Sequence, residues 1–275
     1  MAISKHFLFF GVLAILFCGL GILSEKATER FALMRIQCQL PGDPALDCSH
    51  MPIEQEEEIT RVLSQPFHYL SRGGQCFAFV SDDGKYVIKF FRQRSSKYKG
   101  EKKKAMYQMY FESAALAYRE LREESSLIWV HLSRTPTQPR VLKIYDKLHI
   151  AHNVYLENTI FVLQKKGILP VDYFSALVKN HALEQAKQGL IDMASLIAQR
   201  CNKGIDDIDA ALHKNMGFFD GQPMFIDIGN FRKASQQKNQ IHSEDATKPI
   251  NEFYLWMEKT HPELLAALVG EPASI

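Results

Sequence analysis

Cysteine is scarce in this chain of 275 residues, and its five cysteines do not fall into a metal-ligand spacing with one another or with a histidine cluster. That removes the ligand pattern of a zinc site. An excess of one charge is lacking too, because 33 basic residues stand against 31 acidic ones for a formal net charge of +2. Basic and aromatic residues are not interleaved, so no nucleic-acid partner is expected. No internal repeat is present. Long apolar runs are absent with one exception, an uncharged stretch over 7–23. What remains is an ordinary globular composition, 46% hydrophobic and 23% charged. A chain of this length buries a sizeable core, as one domain of two lobes or as two small domains.

The run over 7–23 follows Lys5 and precedes Glu25 and Lys26. Its seventeen residues span roughly 26 Å as a helix, marginal for a bilayer. Residues 1–24 are therefore expected to form a single-pass transmembrane anchor, with a cleaved signal segment as the rival. Lys26, Arg30 and Arg35 follow the run. They favour a cytoplasmic location for the rest of the chain. Residues 25–65 read as a juxtamembrane linker with a short helix. Cys38 and Cys48 flank a Pro/Gly loop that they would staple in an oxidising compartment; two unpaired thiols are the alternative.

From Phe67 the apolar period changes to that of strands. Asp82-Asp83-Gly84 is a hairpin turn between apolar runs at 76–80 and 86–91. The spacing of Met106, Tyr110, Ala114, Ala117 and Leu121 predicts a long helix over 102–124. Strands are expected at 141–145 and 159–163. Helices follow at 171–179 and 183–201, the second ended by Gly204. A second hairpin turns at Asp220-Gly221, and two helices at 251–259 and 262–268 close the chain.

Several residues stand out chemically. Gly73-Gly74 lets backbone amides approach a phosphate with no Cβ in the way. Lys89 sits mid-strand on the face of Val87 and Phe91, where a lysine needs a partner. Asp227-Ile-Gly229 follows an apolar strand and comes twelve residues after Asn215, with a hairpin between them. A carboxylate and an amide oxygen suit a hard cation such as Mg²⁺. Seven basic residues lie over 92–104 against Glu101 alone. They are a solvated face or a surface for an anionic lipid or sugar phosphate.

This layout resembles the protein-kinase-like superfamily over roughly residues 66–270. The nearest resemblance is to compact atypical bacterial members, such as lipopolysaccharide-core sugar kinases and kinase-like membrane proteins of chlamydia-type bacteria. The resemblance implies an α+β, two-lobed fold behind the transmembrane helix. Its N-lobe, 66–165, would be a small antiparallel sheet with one long helix; its C-lobe, 166–275, would be short and mainly helical. It implies ATP and Mg²⁺ as cofactors and the bacterial inner membrane as the location. Gly73, Gly74 and Lys89 would hold the nucleotide phosphates. A helix glutamate would pair with Lys89, Glu120 being preferred over Glu112 and Glu124. Asn215 and Asp227 would bind the metal, and Asp209 would act as the base, with His213 also able to face the site.

The sequence departs from the family pattern in three places. Ser71 and Cys76 replace the outer glycines. Ala210 stands five residues before Asn215, where the family has its aspartate, and Asp209 stands six before. Only 46 residues follow Gly229, short for a Ser/Thr protein kinase. The implied activity is transfer of the ATP γ-phosphate to a hydroxyl of a small molecule, sugar or glycolipid. The alternative is a pseudokinase, a tethered nucleotide-binding or protein-interaction module.

Overall fold

Two tight hairpins organise the strands. In the first, the Ser81 hydroxyl donates to Asp83 Oδ1 at 2.6 Å and the Lys85 amide donates to the same oxygen at 3.0 Å. Gly84 takes φ +72° there, a conformation that only glycine adopts cheaply. The computed structural model describes residues 5–38, 53–92, 101–133, 140–234 and 243–269.

Helix α1 spans Lys5–Ala27, and α2 spans Glu56–Leu63. Strands β1 (Phe67–Arg72), β2 (Cys76–Ser81) and β3 (Tyr86–Phe91) form a meander before α3 (Glu101–Glu120). Then come β4 (Leu127–His131), β5 (Val141–Tyr145), β6 (Ala151–Tyr155) and β7 (Phe161–Lys165). The seven strands make one sheet in the order β4-β7-β3-β2-β1-β5-β6. The second half holds α4 (Pro170–Lys179), α5 (Leu183–Asn202), β8 (Ile205–Asp207) and the single turn α6 (Leu212–Asn215). It continues with the hairpin β9 (Met216–Phe219) and β10 (Gln222–Phe225), then β11 (Phe231–Lys233), α7 (Ser243–Thr260) and α8 (Pro262–Val269).

The chain is α+β, but two parts of the expected fold are corrected. The sheet is neither small nor purely antiparallel. The β5–β6 hairpin extends it, with β5 pairing parallel to β1 through Phe67–Ile144 and His68–Tyr145. The second correction concerns the N-terminus. A helix does form there, yet among the described residues no helix is long and apolar enough to cross a membrane. The physical reason lies in its ends: α1 takes in Lys5 at one end and Glu25 and Lys26 at the other. The uncharged part between them is about 28 Å long, at the margin of the ~30 Å hydrocarbon layer. Several side chains of α1 lie outside the described residues, as do Cys48 and residues 93–100 of the basic segment.

The sheet's alternation sorts its side chains to two cores. Ile88 and Phe90 of β3 face one core together with Phe77, Phe79 and Phe161. The chain ahead of β1 covers this face: Phe31 and Ile36, and then Ile59 and Val62 of α2, are buried in it. The Phe31 ring meets Phe77 and Phe79 edge-on at 5.3 and 5.4 Å. On the opposite face, Phe91 joins Tyr107 and Phe111 of α3 in a core shared with α4, α5, α7 and α8. Val87 and Lys89 project toward the same side. There the sheet meets the helical half, and the space left between them is the site described below.

Phe31→Ala empties a ring-sized space in the first core and is expected to cost about 3 kcal/mol. Urea unfolding of the full chain measures this. An unchanged midpoint would mean that the stretch before α2 does not pack on the sheet.

Candidate functional site

A cavity of about 770 Å³ opens between the sheet and the helical half. Leu70, Ala78 and Val87 form its roof, the connection 164–169 its back, and Phe218 and Ile226 its floor. The connection folds as an edge because its amides are partly spent. The Lys166 N–H donates to the Lys85 carbonyl and the Ile168 N–H to the Phe218 carbonyl, both at 2.8 Å. Gly167 lies between them, and its N–H has no partner among the described residues. A Cβ there would stand 3.2 Å from Met224 Sδ and 3.3 Å from Ile226 Cδ1, tight contacts to which those side chains would have to yield.

Lys89 lies at the inner end of this cavity. Its Nζ donates to Gln164 Oε1 at 3.0 Å and to the Ile226 carbonyl at 2.5 Å. Burial pushes its pKa below the usual lysine value, while Cys76 and Asp227 pull it back. Ile226 immediately precedes Asp227. This cation of the sheet therefore touches the segment that carries the expected metal ligand.

That segment is locked to Asn215. The amides of Ile226 and Asp227 both donate to the Asn215 carbonyl, at 2.8 and 3.2 Å. Asp227 Oδ1 accepts the Gly229 amide at 2.9 Å, which fixes the carboxylate across the turn. Asn215 is buried, and its Nδ2 donates to the Asp209 carbonyl at 2.5 Å. With its nitrogen engaged there, the Asn215 amide oxygen stays available. Two hard oxygen donors on adjoining segments fit a Mg²⁺ ion, which draws its other ligands from phosphate and water. Among the described residues no group of three or more His, Cys, Asp or Glu side chains forms a complete metal site.

Two aspartates ahead of Asn215, Asp207 at the end of β8 and Asp209 in the loop after it, have different surroundings. Asp207 is buried and pairs with Arg200 Nη1 at 3.1 Å. Its Oδ1 accepts the Asp209 amide at 3.0 Å. Burial still raises its pKa above the ordinary carboxylate value, against the pull of Arg200. Asp207 is thus a support for the loop. Asp209 is about half exposed, 3.4 Å from Lys214 Nζ, and is the carboxylate that a solute can reach. Lys214 also lines the cavity. His213 does not face the site: its ring stacks on Trp256 of α7 with centroids 4.4 Å apart.

The glycine turn closes over the same place. The Gly73 N–H donates to the Cys76 carbonyl at 2.9 Å, and Arg92 Nη1 donates to the Gly73 carbonyl at 2.9 Å. Gln75 reaches across, its Nε2 donating to the Gly229 carbonyl at 3.4 Å. A Cβ on Gly229 would fall 1.9 Å from Gln75 Oε1, so this closure depends on glycine.

The structure therefore links Lys89, through Ile226, to Asp227 and Asn215, with Gln75 of the glycine turn against Gly229 and Asp209 on the adjoining loop; of the expected site residues, Lys89 lines the cavity itself. Glu120 is not among them, and the expected pairing with Lys89 is corrected. Glu120 is the last residue of α3, and its carboxylate lies 3.4 Å from Lys233 Nζ of β11. Glu124 pairs with Lys203, and Glu112 accepts from Gln108 at 2.9 Å on the exposed side. The α3 residue that faces the Asp227 segment is Ser113, whose Oγ donates to the Ile228 carbonyl and accepts the Phe231 amide. Sequence reading also missed Gln164, Gln75 and Arg200. Gln164 did carry a signal, as an amide closing the apolar run Phe161-Val-Leu. Gln75 carried none, because it acts across a long sequence separation, and Arg200 carried none, because a basic residue in the last turn of a helix reads as solvated rather than as turned inward to Asp207. No family model matches the chain, and no curated protein matches it.

Arg200→Met would leave the buried Asp207 carboxylate without its cation and is expected to cost about 3–5 kcal/mol. Adding Asp207→Asn should restore part of that loss. Urea denaturation of both variants checks it; no loss in Arg200→Met would mean that the ion pair does not hold the loop.

Proposed function

We propose that this chain is an ATP- and Mg²⁺-dependent phosphotransferase of the protein-kinase-like kind. The observation that carries the reading is the contact of Lys89 Nζ with the Ile226 carbonyl. It sets a cation suited to phosphate next to the Asp227–Asn215 junction, on the wall of a cavity large enough for a nucleotide.

The nucleotide base would enter between Leu70, Ala78 and Phe218, with the Gly167 N–H as a donor at the edge. The phosphates would lie under Gly73 and Gly74 and against Lys89. Mg²⁺, held by Asn215 and Asp227, would neutralise charge on the phosphate oxygens. Asp209 would accept the proton of an acceptor hydroxyl. The acceptor oxygen then forms a bond to the γ-phosphorus while the bond to the ADP oxygen breaks. A small-molecule, sugar or glycolipid acceptor is carried over from the resemblance. The reading does not depend on a membrane anchor.

One observation favours a second reading, a pseudokinase that binds nucleotide with little turnover. Ala210 occupies the usual base position, and the substitute Asp209 is tied to Lys214. Release of ADP from Mg²⁺-ATP, with water or a panel of sugars and glycolipids as acceptor, separates the two. The phosphotransferase reading expects Mg²⁺-dependent turnover that falls roughly 10²–10⁴-fold in Asp209→Asn and vanishes in Asp227→Asn. Nucleotide binding with wild-type turnover no higher than that of Asp227→Asn would establish the second reading.

A further inference from the structure

Lys89 has no carboxylate partner among the described residues of α3, and its side-chain partner comes from elsewhere. Gln164 is the penultimate residue of β7, next to β3 in the sheet, and only 1% of it is exposed. Each end of its amide is committed. Oε1 accepts from Lys89 Nζ at 3.0 Å, while Nε2 donates to the Ser125 carbonyl at 2.6 Å and the Phe225 carbonyl at 2.7 Å. Turning the amide over would set its oxygen against two carbonyls and its nitrogen against an ammonium. The acceptor is therefore fixed toward Lys89.

The three bonds also join three parts of the molecule. Ser125 lies in the turn after α3 and is fully buried. Phe225 ends β10, two residues before Asp227. Gln164 thus measures the position of Lys89 against the segment that carries the metal ligand. In the kinase-like pattern a glutamate on the long helix does this. Here the helix offers Ser113, which ties itself to the Ile228 carbonyl instead. The other groups facing Lys89 are the Cys76 thiol on β2 and the Asp227 carboxylate. Neither makes a hydrogen bond or ion pair with the ammonium, whose bonded partners are Gln164 and the Ile226 carbonyl.

We propose that Gln164 is the positioning residue of Lys89, a neutral amide on β7 in the role that a helix carboxylate would otherwise fill. This rests on the nucleotide reading above. Being neutral, Gln164 orients the ammonium without cancelling its charge, which is left for the nucleotide phosphates. The design also frees α3 from the site: its inward face binds the Ile228 carbonyl and the Phe231 amide, not the lysine.

A thermodynamic cycle tests the role. Mg²⁺-ATP binding to the full chain is measured by calorimetry for wild type, Gln164→Met, Lys89→Ala and the double variant. Gln164→Met and Lys89→Ala are each expected to weaken binding about tenfold or more. The double variant should bind within about threefold of Lys89→Ala, because Gln164 acts through the lysine. A structural role alone would give a further, multiplied loss in the double variant, and that result overturns the proposal. Unchanged affinity in Gln164→Met overturns it as well. If Gln164→Met does not fold, Gln164→Asn enters the same cycle with the same expectation, since its amide is one carbon too short to reach Lys89. Failure of the wild type to bind defeats the nucleotide reading and this role with it. Binding by wild type with independent losses defeats the Gln164 role alone.

Discussion

One partly buried ammonium joins the two halves of this molecule. Lys89 leaves the middle of the sheet and ends on the Ile226 carbonyl, at the start of the Asp227 turn. A lysine in such a place is expensive, because burial disfavours its charged form and its pKa is pushed down accordingly. The cost persists only because two oxygens receive the ammonium, from Gln164 and from Ile226. Everything around the cavity depends on that joint. It sets the distance between the glycine turn and the Asp227 segment, and it aims a positive charge at the place where Asn215 and Asp227 present oxygens.

The rest of the fold holds the joint still. Behind the sheet, Phe31, Ile36 and α2 cover the aromatic face, so β2 and β3 are buried on both sides. Below it, the short turn α6 ends at Asn215, whose carbonyl receives the amides of Ile226 and Asp227. Arg200 and Asp207 anchor the start of that loop from within the helical core. Asp209 is left outside this framework, half exposed. That is a natural place for a group that must meet a solute, and it contrasts with the enclosed side chain of Asp207.

Much of the arrangement was legible in the sequence where a local rule applied. Asp82-Asp83-Gly84 and Asp220-Gly221 forced hairpins, and the period around Ala114 and Ala117 forced a helix. Lys89 and Asp227 stood out because each breaks an apolar strand pattern. Other parts were not legible. The strand Leu127–His131 is an unbroken apolar run directly behind a helix, with no alternation to mark it. The strand Ala151–Tyr155 has mixed polarity because its hairpin lies at the sheet's edge. The pairing of Lys89 failed for a different reason. Helical spacing can say which glutamates lie on α3, but not which face of α3 meets β3. The buried neighbour proved to be Ser113, and the partner came from a strand. The apolar stretch over 7–23 suggested a membrane span by its length, and among the described residues no helix is long and apolar enough to cross one.

The central claim is that the cavity beside Lys89 takes a metal-bound nucleotide. Thermal unfolding of the full chain, with and without Mg²⁺-ATP, for wild type and Asp227→Ala tests it most directly. Ligand at ~100 times its dissociation constant adds about 2.7 kcal/mol, a rise on the order of 5 °C for a domain of this size. The account expects that rise in the wild type, dependent on Mg²⁺ and lost in Asp227→Ala. A wild type that shows no Mg²⁺-dependent rise, or a variant that shows the same one, would contradict it.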